Sequence, residues 1–125
     1  LGVEYREFAK FYEYINKLVD RYDQSLQLIM LTLEPLTPET FSLDDQEEAM
    51  NAMKKAISCS LRNVDITTRF SSEQFLIILL DANKENVSMI TSRIFEQFYR
   101  MYAKNNVSLS YDVADLSMED LAALN

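Results

Sequence analysis

The turn Ser71-Ser72-Glu73-Gln74 separates two stretches of strand-like sequence and carries side chains that could do chemistry. Before it, Val64, Ile66 and Thr68 alternate with polar neighbours, and Arg69 and Phe70 follow. After it comes the apolar run Phe75-Leu76-Ile77-Ile78-Leu79-Leu80. This spacing predicts two strands and a tight tip between them, the second strand being buried on both faces. A rigid scaffold aims whatever its hairpin tip carries. Glu73 is a hard oxygen donor of the kind a divalent metal needs. Upstream, Arg62-Asn63-Val64-Asp65 offers a guanidinium fork, able to clasp a phosphate or pair two acceptors on a planar edge. A plainer reading stands beside each. Glu73 fits a solvated acid, and Arg62 fits a cation stabilised at a helix C-terminus. Arg62 with Asp65 also fits a local surface ion pair worth about 0–1 kcal/mol.

Composition bounds what these residues can belong to. The chain has 125 residues, enough for one domain with a real core. It is 48% hydrophobic and 26% charged, ordinary for a soluble globular protein. One Gly and two Pro leave no flexible linker. No apolar run approaches membrane-spanning length, and the N-terminus reads as an amphipathic charged segment rather than a leader. A lone Cys59 and no His argue against a disulfide and a zinc site, and suit a reducing cytoplasm. A net charge of -8 argues against wrapping by DNA or RNA, and leaves room for one small anion held by local arginines.

The elements that must position the turn follow from periodicity and breakers. Val3 to about Asp23 predicts a helix, with Phe8, Phe11, Ile15, Leu18 and Tyr22 on one stripe. Leu26 to Leu33 predicts a central strand, stopped by Pro35 and Pro38. Ser42-Leu43-Asp44-Asp45 starts a second helix as a capping box, with Met50, Met53, Ile57 and Leu61 inward. After the hairpin, Asn83 to about Lys104 predicts a third helix. Its inward face is Val87, Ile90, Ile94, Phe98 and either Met101 or Tyr102. Val107, Leu109, Tyr111 and Val113 predict a last strand, and Ser117 to Leu124 a short fourth helix. The inner order is β-α-β-β-α-β: an α+β, ferredoxin-like fold with a mostly antiparallel sheet and both crossover helices on one face.

Arg69-Phe70-Ser71-Ser72-Glu73-Gln74-Phe75 resembles the hairpin of the GGDEF family, the bacterial diguanylate cyclases. Their signature, Gly-Gly-Asp/Glu-Glu-Phe, follows an Arg and an aromatic. The resemblance runs from about Phe8 to Ala114 and includes the closing strand Val107 to Ala114, whose usual Gly is Asp112. It implies a nucleotide-cyclase palm, and one GGDEF domain over residues 1–125 that lacks the family's last helix, as a piece of a longer protein would. In the family, two divalent metals are held by a strand-end Asp and an acid of the turn. That Asp falls here on Thr32, or on Met30 in an ungapped alignment. The guanine-reading Asn falls near Pro38, and the guanine-reading Asp on Glu47, preceded by Gln46. Ser71 and Ser72 stand where glycines admit phosphate, Glu73 keeps an acid, and Gln74 replaces one. The comparison implies that the catalytic positions Thr32, Glu47, Ser71, Ser72, Glu73 and Gln74 are degenerate. The chain is therefore expected not to be an enzyme, and to take no cofactor, Mg²⁺ included.

The family's product-inhibition site is marked by Arg-x-x-Asp six positions before the signature, with a further Arg on the next helix. Those positions are Arg62, Asp65 and Arg93. The resemblance thus implies a regulatory module in bacterial signal transduction that binds cyclic di-GMP through Arg62, Asp65 and Arg93. The alternative is a nucleotide-independent interaction or dimerisation module. Expected partners are cyclic di-GMP, other domains of the same signalling protein and a second copy of the chain. Nucleic acid polymers and membrane contact are not expected, and the cytoplasm is the expected location. For Arg93 the plainer reading is a solvated residue beside Glu96.

Overall fold

A computed structural model of the protein describes residues 2–22, 26–80 and 82–113. The order is α1 (Tyr5–Tyr22), β1 (Leu26–Pro35), a short 3-10 turn (Pro38–Thr40), α2 (Leu43–Ser60), β2 (Ile66–Ser71), β3 (Gln74–Leu80), α3 (Lys84–Met101) and β4 (Val107–Val113). The four strands form one sheet in the order β2-β3-β1-β4, and every neighbouring pair is antiparallel. This is the expected α+β palm. The segment expected to form a fourth helix lies outside the described residues.

Side chains alternate along each strand, so the two faces of the sheet bury different residues. Ile29, Leu31 and Leu33 of β1 join Phe75, Ile77 and Leu79 of β3 beneath α2 and α3, which add Met50, Met53, Ile57, Val87, Ile94 and Phe98. The opposite face sets Leu28, Ile66, Leu76 and Ile78 against Phe8 and Tyr12 of α1. The apolar run of β3 is thus divided residue by residue between two cores. That division explains why it shows no polar alternation.

The helices begin where their side chains can satisfy the first backbone N–H groups. Ser42 Oγ accepts from the Asp45 N–H at 3.0 Å, and the Ser42 N–H donates to the Asp45 carboxylate at 3.4 Å. Asn83 and Asn86 form the same reciprocal pair ahead of α3, at 2.9 and 3.0 Å. Just past the end of α3 the inward residue is Tyr102, 2% exposed, while Met101 is 43% exposed. On α1 the buried residues are Phe8 and Tyr12, with Phe11 half-buried; Ile15, Leu18 and Tyr22 lie outside the described side chains. β2 starts at Ile66, and Val64 stays in the preceding loop, exposed.

Lys104, between α3 and β4, reaches back to the start of α2. Its Nζ lies 2.8 Å from both Asp45 Oδ1 and Glu48 Oε2. The hydrogen bond from Lys104, and that from the Ser42 backbone, hold the Asp45 carboxyl below its usual range. The hydrogen bonds to Asp45 and Glu48 push the Lys104 ammonium up. A depressed Asp45 contributes stability that is present above the unfolded carboxylate pKa of about 4 and lost as pH falls through the lower folded value. Lys104→Met should therefore lower the melting temperature at pH 7. Its difference from wild type should shrink below about pH 4. Thermal melts of both proteins across pH 2–8 check this; a difference that does not change with pH would remove the ion pair as its cause.

Candidate functional site

The hairpin tip is held by a network of uncharged groups. Thr32 of β1 and Gln74 of β3 are direct register partners, which places the end of the central strand beside the turn. Gln74 Nε2 donates to Thr32 Oγ1 at 3.3 Å and lies 3.1 Å from Met30 Sδ. Ser71 Oγ donates to Gln74 Oε1 at 3.0 Å and accepts from the Glu73 N–H at 3.3 Å. Both positions considered for the strand-end acid, Thr32 and Met30, are therefore reached by one side-chain amide. The Glu73 carbonyl accepts from the Leu33 N–H at 2.9 Å, while the Glu73 side chain is exposed.

Two further groups tie the tip down. Gln46, in the first turn of α2, donates to the Ser72 carbonyl at 2.6 Å. Arg69 donates to the Ser71 carbonyl at 3.2 Å and to the Ser72 carbonyl at 3.4 Å. The register shifts between Arg69 and Ser71, and the Phe70 ring packs at a tilt against Tyr5 with centroids 5.5 Å apart. A bulge of this kind re-aims the side chains around it. Arg69 is turned to the tip and Phe70 to α1. Glu47 is exposed on α2. Among the described residues, no group of three or more His, Cys, Asp and Glu side chains is placed to hold a metal ion.

A cavity of about 460 Å³ opens beside the tip. Its walls include Val3 and Glu7 from the N-terminal segment, Met50, Asn51 and Lys54 from α2, and Arg69. It exists because the N-terminal segment lies along β2: the Val3 N–H donates to the Thr67 carbonyl at 2.9 Å, and Gly2 forms a parallel bridge with Thr67. Sequence reasoning did not find Asn51, Lys54 or Arg69 as cavity residues. Helical spacing puts Met50, Asn51 and Lys54 on one side of α2, but nothing local says what faces them.

The second candidate site lies at the other end of α2. Arg62 and Asp65 meet directly: Nη2 lies 2.9 Å from Oδ1, and Nε 3.0 Å from Oδ2. Arg62 Nη2 also donates to the Leu80 carbonyl, at 2.7 Å, at the end of β3. The pair therefore joins the end of α2 to the strand leading into α3. Arg93 is exposed on α3, and α2 and α3 cover the same face of the sheet. By helix geometry Arg93 stands roughly 14 Å along the α3 axis from Lys84.

No family model matches the chain. No curated protein matches it. Solved structures do share its fold. The GGDEF domain of DgcB from Caulobacter crescentus, in complex with c-di-GMP, superposes with a TM-score of 0.76 at 10% identity, over 97% of this chain and 79% of that one. The active GGEEF domain of a diguanylate cyclase from Vibrio cholerae gives 0.75 at 17% identity, over 86% of this chain and 72% of that one. A diguanylate cyclase protein from Thermotoga maritima gives 0.70 at 15% identity, over 99% and 90%. The fold is that of the GGDEF, diguanylate cyclase domains. This overturns the expectation that the chain is not an enzyme. That expectation rested on side chains at one turn and one strand end, and the scaffold around them is shared with an active cyclase domain. Among the described residues, no helix is long and apolar enough to cross a membrane.

Proposed function

We propose that this chain is a cytoplasmic GGDEF signalling domain that binds cyclic di-GMP at the end of its helix layer, through Arg62 and Arg93 with Asp65 in support. The observation that carries this is the fixed placement of Arg62. Its guanidinium is held on one side by a buried carboxylate and by the Leu80 carbonyl, and the side chain remains 47% exposed. A guanidinium held in this way sets a fixed positive charge where phosphate oxygens or a guanine edge can approach it. Arg93 adds a second, exposed cation on the same helix layer. The c-di-GMP complex of the DgcB domain, which has this fold, supports the choice of ligand.

Arg93→Ala tests the extent of the site. It removes an exposed charge from α3 with little expected effect on stability, since surface substitutions usually stay within about 0.5 kcal/mol. Cyclic di-GMP affinity should fall by roughly three- to tenfold, and the salt dependence of binding should weaken. Fluorescence titrations at two ionic strengths check this. Unchanged affinity at both would remove Arg93 from the site.

A further inference from the structure

We propose that the cavity between the N-terminal segment, α2 and β2 is a second ligand site. Its ligand is a small zwitterion with an apolar side group, a free amino acid or a dipeptide. This is independent of the cyclic di-GMP reading, and neither Arg62 nor Asp65 lines the cavity. Its volume of about 460 Å³ suits a small organic ligand. The walls carry charges of both signs: Lys54 from α2 and Arg69 from β2, Glu4 and Glu7 from the segment that enters α1. Among the described residues, no ion pair joins either cation to either acid. Lys54, Glu4 and Glu7 make no side-chain hydrogen bond there either. Arg69 spends Nε and Nη2 on the Ser71 and Ser72 carbonyls, which leaves Nη1 without a partner among the described residues.

Opposite charges that share a cavity without meeting are complemented by a ligand that carries both signs. Two positive and two negative side chains cancel, so the cavity as a whole draws neither a polyanion nor a polycation. A ligand carboxylate can accept charge-assisted hydrogen bonds from Lys54 and Arg69, and a ligand ammonium can donate them to Glu4 and Glu7. Asn51 adds one amide, both donor and acceptor. Met50 and Phe75, 1% and 4% exposed, give the cavity an apolar part for the side group. An occupant that touches Lys54 and Glu7 ties the start of α1 to α2. The bond from the Val3 N–H to the Thr67 carbonyl spans the same gap, so an occupied cavity should hold that bond closed.

The test is a titration series on the whole chain with leucine, leucyl-leucine and two blocked analogues. N-acetyl-leucine lacks the ammonium, and leucinamide lacks the carboxylate. Leucine or leucyl-leucine should saturate the protein, and the tighter of the two tells the amino acid from the dipeptide. Each blocked analogue should bind roughly tenfold more weakly than leucine, having lost one charged contact. Lys54→Met should weaken leucine by a similar factor and leave leucinamide unchanged, while Glu7→Gln should weaken leucine and leave N-acetyl-leucine unchanged. Both side chains are exposed, so both variants should fold. In the saturated wild-type protein, hydrogen exchange at the Val3 amide should slow severalfold. Flat titrations with both parent ligands would overturn the proposal, as would blocked analogues that bind as tightly as leucine. So would an unchanged Val3 exchange rate at saturation, which would put the ligand elsewhere. GTP binding that Lys54→Met and Glu7→Gln both abolish would give the cavity to a nucleotide and overturn the proposal as well.

Discussion

Phe98→Ala is expected to destabilise the chain by about 3–5 kcal/mol, the range for removing a fully buried aromatic side chain. Phe98 is 0% exposed and lies in the core between the sheet and the α2–α3 layer. Its ring stacks on Tyr102 with centroids 5.5 Å apart and meets Tyr99 edge-on at 5.3 Å. Two losses combine in the variant: the transfer of the ring from water, and a cavity that α3 cannot collapse because β1 and β3 lie behind it. Domains of this size are stable by about 5–15 kcal/mol in total, so a large part of the margin goes. Met101→Ala, three positions along the same helix, should change stability by less than about 0.5 kcal/mol, because Met101 is exposed. Urea titrations of both variants check the contrast. Equal effects would mean that α3 does not pack on the sheet through Phe98.

Arg62→Ala is expected to lower cyclic di-GMP affinity by at least about tenfold, each decade being about 1.4 kcal/mol. Truncating one side of a charged, hydrogen-bonded contact costs roughly 2–5 kcal/mol when the partner is left buried, and less where water replaces it. The same change strips Asp65 of its guanidinium, so the variant should also melt earlier. Arg62→Lys separates the two effects. It keeps a cation near Asp65 but loses the planar fork, so affinity should fall while most of the stability returns. Arg69→Ala is the control, because Arg69 is bonded to the hairpin tip at the opposite end of α2. If Arg62→Lys bound cyclic di-GMP as well as wild type, the planar fork would have no part in recognition.

The β-α-β-β-α-β order was legible because each element carries its own period and its own stop. Pro35 and Pro38 end β1, the Ser42 and Asn83 caps start α2 and α3, and Ser71 to Gln74 turn the chain between strands. Where the period allows two neighbours, sequence could not choose. Met101 and Tyr102 both continue the stripe of α3, and only packing puts Tyr102 inside, with its hydroxyl donating to Asn106 Oδ1 at 2.7 Å. Val64 alternates with Ile66 in sequence but is left outside β2, because the Arg62–Asp65 turn precedes the strand.

The candidate sites could be read as positions in the sequence and not as arrangements. The location of the tip follows from local pattern. Its amide network depends on the register of Thr32 opposite Gln74, which is set by how β1 and β3 pair across intervening helix. Arg62 and Asp65 read as a surface pair three residues apart. Asp65 is nonetheless fully buried, and its partner Arg62 also bonds the Leu80 carbonyl, a contact between residues far apart in the chain. The cavity beside Arg69 depends on the N-terminal segment lying on the edge of β2, for which the sequence carries no local sign. The absence of a glycine pair at the tip was legible, but as evidence against enzymatic function it was outweighed by the shared fold of an active cyclase domain.

Calorimetric titration of the wild-type chain with cyclic di-GMP tests receptor function most directly. Saturable heat is predicted at micromolar ligand, with Arg62→Lys and Arg93→Ala both weakening the isotherm. A flat trace up to high micromolar ligand, from a protein whose folding is verified by its thermal melt, would contradict the proposed function and favour an interaction module that needs no nucleotide.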